Sequence, residues 1–182
     1  MHAVMRPLSL AAAFAAALTF LTPIASAISS DAAEVQLQLA RLLFDDGRYV
    51  EAFAAFEQAK PNEDPRIYRE ALIGGVKTAL RLGDFSHAYA DAQLLAKVAS
   101  KDAESIALYA DALWAAGLFE ESEQKYQDAL ALQRDNGRAL HGLSRSLAAR
   151  NKLSEALETS QAALNKDPRD AEFHHHRHAV GG

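Results

Sequence analysis

The stretch that decides the fold is "DDGRYVEAFAAFEQA" at residues 45–59, and a related stretch, "AAGLFEESEQKYQDALAL", follows at residues 115–132. In both stretches a glycine comes after a helical pattern and an aromatic residue stands two positions later. Glycine adopts a positive φ without steric cost, so it lets the chain leave one helix and enter the next. The two stretches therefore predict a repeated pair of helices joined by a tight turn.

Four such turns follow one another at nearly constant intervals. The turn residues are Gly47, Gly83, Gly117 and Asn151, with spacings of 36, 34 and 34 residues. Asparagine is the residue that best tolerates a positive φ after glycine. Regular spacing of this length is typical of an α-solenoid built from helix pairs.

Positions counted from the turn residue carry the same kind of side chain in each copy. Two residues after the turn the side chain is large and apolar: Tyr49, Phe85, Phe119 and Leu153. Five residues after the turn it is small: Ala52, Ala88, Ser122 and Ala156. Columns of large and small side chains allow two antiparallel helices to approach closely and interlock.

This pattern resembles the tetratricopeptide-repeat (TPR) family, whose unit is a helix-turn-helix of 34 residues. The resemblance covers residues 33–168 and implies an all-α, right-handed α-solenoid of about four units. We expect a cleaved signal peptide to precede it, on separate grounds given below. We expect the units at 33–64, 65–101, 102–136 and 137–168. We expect the helices at 33–46, 49–59, 65–82, 85–98, 102–116, 119–133, 137–150 and 153–165.

The second unit departs from the common pattern in two ways. Ala92 and Leu95 exchange the large and small positions of the first and third units, which we interpret as local repacking at constant volume. Gly74 and Gly75 lie within its first helix, where each costs about 1 kcal/mol relative to alanine. We therefore expect this unit to be the least stable.

Residues 1–27 have the features of a signal peptide. Arg6 precedes an apolar run at 8–21, Pro23 ends the run, and Ala25-Ser26-Ala27 offers small residues for cleavage after Ala27. The alternative is an uncleaved membrane anchor, but a spanning helix needs about 20 apolar residues and this run is shorter. We expect a periplasmic protein, or alternatively a secreted one, with no membrane span after cleavage.

Composition excludes several classes of function. The chain has no cysteine, so disulfides and thiolate chemistry are excluded. Its 19 basic and 24 acidic residues are interspersed, without the basic block that would indicate a nucleic-acid partner. No G-x-S-x-G, H-E-x-x-H or phosphate-loop motif occurs, so we expect neither catalysis nor a cofactor.

Resemblance to the TPR family implies that the first helix of each unit lines a concave groove. The groove positions then map onto Leu37, Arg41, Phe44, Ile73, Lys77, Arg81, Ala107, Asp111, Trp114, His141 and Arg145. One column of this set is mostly basic, which favours a partner rich in carboxylates. The alternatives are that these charges are only solvated, and that Phe44 and Trp114 pack against an adjoining unit.

The family's asparagine-containing carboxylate clamp is missing, since none of the mapped positions is asparagine. A cytosolic chaperone partner is therefore disfavoured.

The segment at 169–182 is rich in histidine. On a helix His174 and His178 would share a face and could bind Zn²⁺, Ni²⁺ or Cu²⁺ with Glu172. The alternatives are a solvated end and a partial capping helix that places Phe173 on the core.

Together these features predict a non-catalytic adaptor that binds a protein or peptide in its groove, in an envelope assembly or secretion apparatus. Two alternatives are a metal-binding protein that acts through the histidine segment and a self-associating structural protein.

Overall fold

The computed structural model describes residues 29–164 and is entirely helical over that range apart from its turns and connections. The expected signal peptide at 1–27 and the segment at 169–182, with His174 and His178, lie outside the described residues. The helices are α1 (Ser30–Asp45), α2 (Tyr49–Ala59), α3 (Pro65–Leu82), α4 (Phe85–Val98), α5 (Ala103–Ala115), α6 (Phe119–Leu132), α7 (Gly137–Ala149) and α8 (Leu153–Leu164). None of these eight helices combines the length and the apolar character needed to cross a bilayer.

The predicted all-helical architecture is confirmed, and most helices begin and end within one residue of the expected positions. The exception is α1, which begins at Ser30 and not at 33. Ser29 is its N-cap, because its Oγ accepts a hydrogen bond from the amide of Ala32 at 3.4 Å. A side-chain acceptor satisfies one of the unpaired amides at a helix start, so the helix extends back to this serine.

The four predicted turn residues have the expected left-handed backbone. Their φ angles are 75° at Gly47, 74° at Gly83, 81° at Gly117 and 60° at Asn151. In every turn the next residue donates its amide to the carbonyl five positions back, so Arg48 bonds Leu43 and the other turns repeat the contact. This bond satisfies a carbonyl at the end of the first helix and fixes the angle at which the second helix leaves.

The helices form two layers. Within each unit the two helices pack together, and each second helix also packs on the first helix of the next unit. The first helices contact one another in the series α1, α3, α5, α7, whereas the second helices, as far as the described residues extend, do not contact one another. The first helices of neighbouring units therefore lie closer together than the second helices do, and they form the inner, concave side of the array.

An aromatic ring and a glycine meet at two of the three boundaries between units. The Phe56 ring of α2 lies over Gly74 of α3, and the Tyr126 ring of α6 lies over Gly142 of α7. A Cβ atom at either glycine would overlap the ring. At Gly74 the packing of this ring therefore offsets part of the conformational cost of glycine, and the lower stability expected for the second unit stays a prediction.

The middle boundary has the opposite arrangement. Ala92 stands in the column of Phe56 and Tyr126, nine residues after its turn, and Leu108 stands in the column of the two glycines. Ala92 and Leu108 are both buried in the second core cluster. The exchange of large and small residues in the second unit is therefore matched by the first helix of the third unit, which keeps the volume between neighbouring units filled.

Candidate functional site

A pocket opens on the inner side of the array between α1 and α3. Its volume is about 340 Å³. The lining residues come from three helices: Arg41, Phe44, Asp45, Phe56, Glu70, Ile73, Gly74 and Lys77. Four of the predicted groove residues, Arg41, Phe44, Ile73 and Lys77, are thus brought together.

The pocket has an apolar floor because the ring of Phe56 packs against Gly74, which has no side chain. Phe56 is only 3% exposed and reaches under Gly74, which leaves space above the α3 backbone. Phe44 and Ile73 are half-buried and complete the apolar part of the lining. A hydrophobic side chain from a ligand would lose water on several sides at once in such a pocket.

The charges around the pocket are balanced. The guanidinium of Arg41 forms an ion pair with Glu70, and Arg66 Nη1 lies 3.5 Å from the same carboxylate. Asp45 and Lys77 add one charge of each sign to the lining. The prediction of a net basic surface is therefore wrong at this pocket, because Glu70 and Asp45 lie beside the cations that the sequence singled out.

The inner side has a different character between α5 and α7, where a polar network connects the two helices. Arg138 donates from Nε to Glu104 at 2.7 Å and from Nη1 to Asp111 at 2.6 Å. Asn136 bonds the other oxygen of Glu104 at 3.3 Å. Asp111 and Arg138 are about four-fifths and seven-tenths buried, since their side chains are 20% and 29% exposed.

Tyr126 anchors this network from below. Its hydroxyl donates to Asp111 Oδ1 at 2.5 Å and accepts from Arg145 Nη2 at 2.9 Å. Burial, and next the negative charge of Asp111, raises the pKa of Tyr126. The phenol therefore stays protonated at physiological pH and acts as a fixed hydrogen-bond donor.

Trp114 belongs to the same region and is held on two sides. Its ring meets Phe119 edge to face, with centroids 4.8 Å apart, and the guanidinium of Arg145 lies 4.5 Å from the ring centroid. Phe44 and Tyr49 form the same edge contact in the first unit at 5.3 Å. Both pairs join the end of a first helix to the start of its own second helix, so Trp114 fastens a helix pair and stacks with an arginine.

The remaining predicted groove residues are dispersed. Leu37 and Ala107 are 0% exposed. The placement of both in the groove is wrong, because their side chains point into core clusters with the second helices of their own units. Arg81 is exposed near the end of α3, and His141 is half-buried in α7.

Sequence analysis missed the residues that define each region. Phe56 and Glu70 shape the pocket, whereas Tyr126 and Arg138 hold the network. Phe56 and Tyr126 could have been found by comparing each aromatic nine residues after a turn with the glycine of the next unit. No pattern in the sequence indicated Glu70 or Arg138, because their partners lie on other helices.

Within residues 29–164 no group of three histidine or acidic side chains is placed to hold a metal ion.

Comparison with known proteins agrees with this architecture. The family model for the tetratricopeptide repeat matches residues 113–176. No curated protein sequence gives a significant match.

Several solved structures share the fold at low sequence identity. TTC0263, a thermophilic TPR protein from Thermus thermophilus, aligns with a TM-score of 0.67 and 22% identity over 75% of each chain. The first TPR of Spaghetti (RPAP3), bound to the HSP90 peptide SRMEEVD, aligns with a TM-score of 0.62 and 20% identity over 69% of this chain and 98% of that one. MamA aligns with a TM-score of 0.60 and 14% identity over 77% of this chain and 81% of that one.

Paired helices, a left-handed residue at every turn and a layer of first helices define an α-helical repeat protein of the solenoid class. The match of the family model and the fold of these structures identify the repeat. Residues 113–176 match the tetratricopeptide-repeat family, and the described residues share the fold of solved TPR proteins.

Proposed function

We propose that the chain is a non-catalytic adaptor that holds a segment of another protein on the inner side of its helical array. The observation that carries this proposal is the pocket between α1 and α3, with its apolar floor of Phe44, Phe56 and Ile73. The pocket is the anchor point, and it takes a large apolar side chain of the bound segment.

The size of the pocket supports a side chain as its occupant. A volume of about 340 Å³ is at the lower end of the range for ligand sites in proteins. The balanced charges on its rim give no preference for an acidic or a basic ligand, so the apolar contact has to supply most of the affinity. Arg41 and Glu70 remain in position to bond the backbone of a segment that passes over the pocket.

The fold relatives support a peptide as the ligand. The first TPR of Spaghetti is solved with a peptide bound, and its fold aligns with most of this chain. In the present chain we place the ligand at the hydrophobic pocket between α1 and α3.

A peptide library tests this proposal. Phage-displayed random peptides selected against the purified protein should share a large apolar residue, and a selected peptide should bind with a measurable Kd by fluorescence anisotropy. Ile73→Trp should fill the pocket and weaken this binding at least tenfold. Val98→Trp places the same ring on α4, where Val98 is 51% exposed and distant from the pocket, and should leave the Kd unchanged.

Equal binding by the Ile73→Trp and wild-type proteins would remove the pocket from the ligand site. Circular dichroism of each variant has to show the wild-type helix content, so that a folding defect is not taken for a loss of affinity.

We further propose that the adaptor works outside the cytoplasm, in the bacterial periplasm, within an envelope assembly or a secretion apparatus. The support is the pattern of residues 1–27, with an apolar run, a proline and the small residues before position 28. Expression of the full chain in a Gram-negative host should yield a periplasmic product whose intact mass lacks residues 1–27. A full-length mass in the cytoplasmic fraction would contradict export.

A further inference from the structure

The first helix of the array is apolar on two sides. One side packs into the core through Ala33, Leu37 and Ala40, which are 0% exposed. The other side carries Val35 and Leu42, which are 62% and 65% exposed, with Leu39 between them at 43%. We refer to Val35, Leu39 and Leu42 as the α1 seam.

The α1 seam occupies positions that are covered in every later unit. Counted back from the turn residue, these are the twelfth, eighth and fifth positions of each first helix. In α3, α5 and α7 the same positions are buried or half-buried, at Ala71, Gly75, Thr78, Ser105, Tyr109, Ala112, Ala139, Leu143 and Ser146. Ala71, Ala112 and Ala139 each belong to a core cluster that includes residues of the preceding unit. In α1 no preceding unit exists among the described residues, and yet the side chains are apolar.

The side chains of the α1 seam are larger than their counterparts. Alanine, serine and threonine occupy the twelfth and fifth positions of the later helices, and they let a neighbouring helix approach closely. Valine and leucine in α1 hold a neighbour further away, and their spacing of four and then three residues is that of the d, a and d positions of a heptad. Side chains at these positions can interdigitate with those of another α-helix that has apolar residues at the same intervals.

The charged residues beside the middle of the α1 seam do not oppose such a contact, whereas Asp31 and Asp45 lie at its two ends. Glu34 pairs with Arg66 at 2.5 Å and Arg41 pairs with Glu70, so both charges are turned towards α3. Gln36 and Gln38 flank Leu39 and carry no charge. A second α1 would therefore bring no like charges together at the centre of the contact.

We propose that the α1 seam is a self-association surface, on which α1 of a second copy of this chain packs. A contact between identical surfaces closes at two copies and leaves no further seam exposed, whereas an unrelated partner would need its own matching helix. This inference rests on the cleavage after Ala27 proposed above, which would remove residues 1–27 from the chain.

The contact is small, since three side chains on each copy carry it. Interfaces well below the standard size belong to weak and transient complexes. We expect a dimer that dissociates on the order of 10–100 µM and is tightened by salt, because hydrophobic contact dominates and the acidic ends of α1 are screened.

Sedimentation equilibrium tests this proposal. The sample is the purified protein in the form, processed or not, that accumulates in the expressing cell. The wild type should pass from monomer to dimer over a concentration series from about 2 to 500 µM. Leu39→Lys combined with Leu42→Lys should weaken the dimer at least tenfold. Val98→Lys combined with Leu132→Lys alters two residues of similar exposure, 51% and 53%, on second helices and should leave it intact.

Cysteine crosslinking gives a second readout, because the chain has no cysteine of its own. Under mild oxidation Leu39→Cys should form a disulfide-linked dimer at least tenfold faster than Leu132→Cys. Circular dichroism of the lysine and cysteine variants establishes that each is folded.

A wild type that stays monomeric to about 500 µM would overturn the proposal, as would a dimer unaffected by the two lysines or equal crosslinking at both cysteines. The peptide-binding test at Ile73 is independent of these outcomes, and the intact mass of the same preparation reports separately on cleavage.

Discussion

The two ends of the inner side differ in how their charges are used. Between α1 and α3 the ion pair of Arg41 and Glu70 lies on the rim of an open apolar pocket, and Arg41 is 50% exposed. Between α5 and α7 the carboxylate of Asp111 is surrounded by Arg138, Arg145 and the hydroxyl of Tyr126, so its charge is paired within the array. The described residues thus form a pocket at one end of the inner side and a paired polar network at the other.

This difference arises from residues around a shared column. Arg41, Asp111 and Arg145 stand at the same distance from their turns. Phe56 leaves an apolar floor at one boundary, whereas Tyr126, in the same column, adds a hydroxyl that binds Asp111 at another. The hydroxyl of Tyr126 thus gives its boundary a hydrogen-bonding group that Phe56 lacks.

The largest effect on stability is expected from a substitution that breaks the polar network between α5 and α7. Asp111→Ala removes the partner of Arg138 and Arg145 and leaves partly buried cations unpaired, which should lower the free energy of unfolding by about 2–4 kcal/mol. Glu70→Ala breaks the matching pair at the pocket, where Arg41 is half exposed, and should cost less than about 1 kcal/mol. Urea unfolding followed by circular dichroism measures both.

Equal losses in the two variants would show that both pairs contribute alike and would contradict the distinction between an exposed ion pair and a buried one. Arg145→Glu should resemble Asp111→Ala in this assay, so charge reversal at Arg145 is unsuitable for testing ligand binding.

An intermediate effect on stability is expected at Gly74 and Gly142. The two ends of the inner side are alike here, because each glycine lies under an aromatic ring. Gly74→Ala and Gly142→Ala force a Cβ atom against the rings of Phe56 and Tyr126, and each should cost about 1–3 kcal/mol. Gly137→Ala is the matched control, because its Cβ would meet open space at the start of α7. This control should be neutral or stabilising by up to about 1 kcal/mol, and a similar gain at Gly74 would refute the close contact.

The smallest effect on stability is expected at a buried carboxylate that belongs neither to the pocket nor to the polar network. Asp91 of α4 is 7% exposed and lies 2.5 Å from Lys60 Nζ. Burial raises the pKa of Asp91 above its ordinary value of 3.8, although Lys60 opposes the change. The folded state therefore favours the protonated form, and the contribution of Asp91 to stability is lost as pH rises from 3.8 through the raised value.

Asp91→Asn should remove this dependence. The free energy of unfolding of the variant, relative to wild type, should rise as pH increases from about 3 to 7, as measured by urea unfolding at each pH. A difference that falls with pH would mean that the pair with Lys60 outweighs burial and that the pKa is lowered.

Local chemistry made the helices and turns predictable. Gly47, Gly83, Gly117 and Asn151 were recognised because a left-handed turn restricts the residue type, whatever surrounds it. The N-cap of α3 at Asp64 and the following proline likewise act within one turn of helix. Only the start of α1 was placed late, because Ser29 was not recognised as a cap.

The site was predicted in part. Arg41, Phe44, Ile73 and Lys77 do line one pocket, since equivalent positions of neighbouring first helices face the same side. Leu37 and Ala107 share this spacing and are nevertheless buried, because repeat position fixes a direction but not the depth of packing.

The sequence by itself determined that this chain folds as paired helices in four repeats, because the capping residue, the turn residue and the helical period act over a few neighbouring positions. Only the tertiary structure decided how the charged residues of the inner side pair with one another. That outcome depends on how Glu70 meets Arg41 and Arg138 meets Asp111 across different helices, and such ion pairs form between residues that no local rule connects.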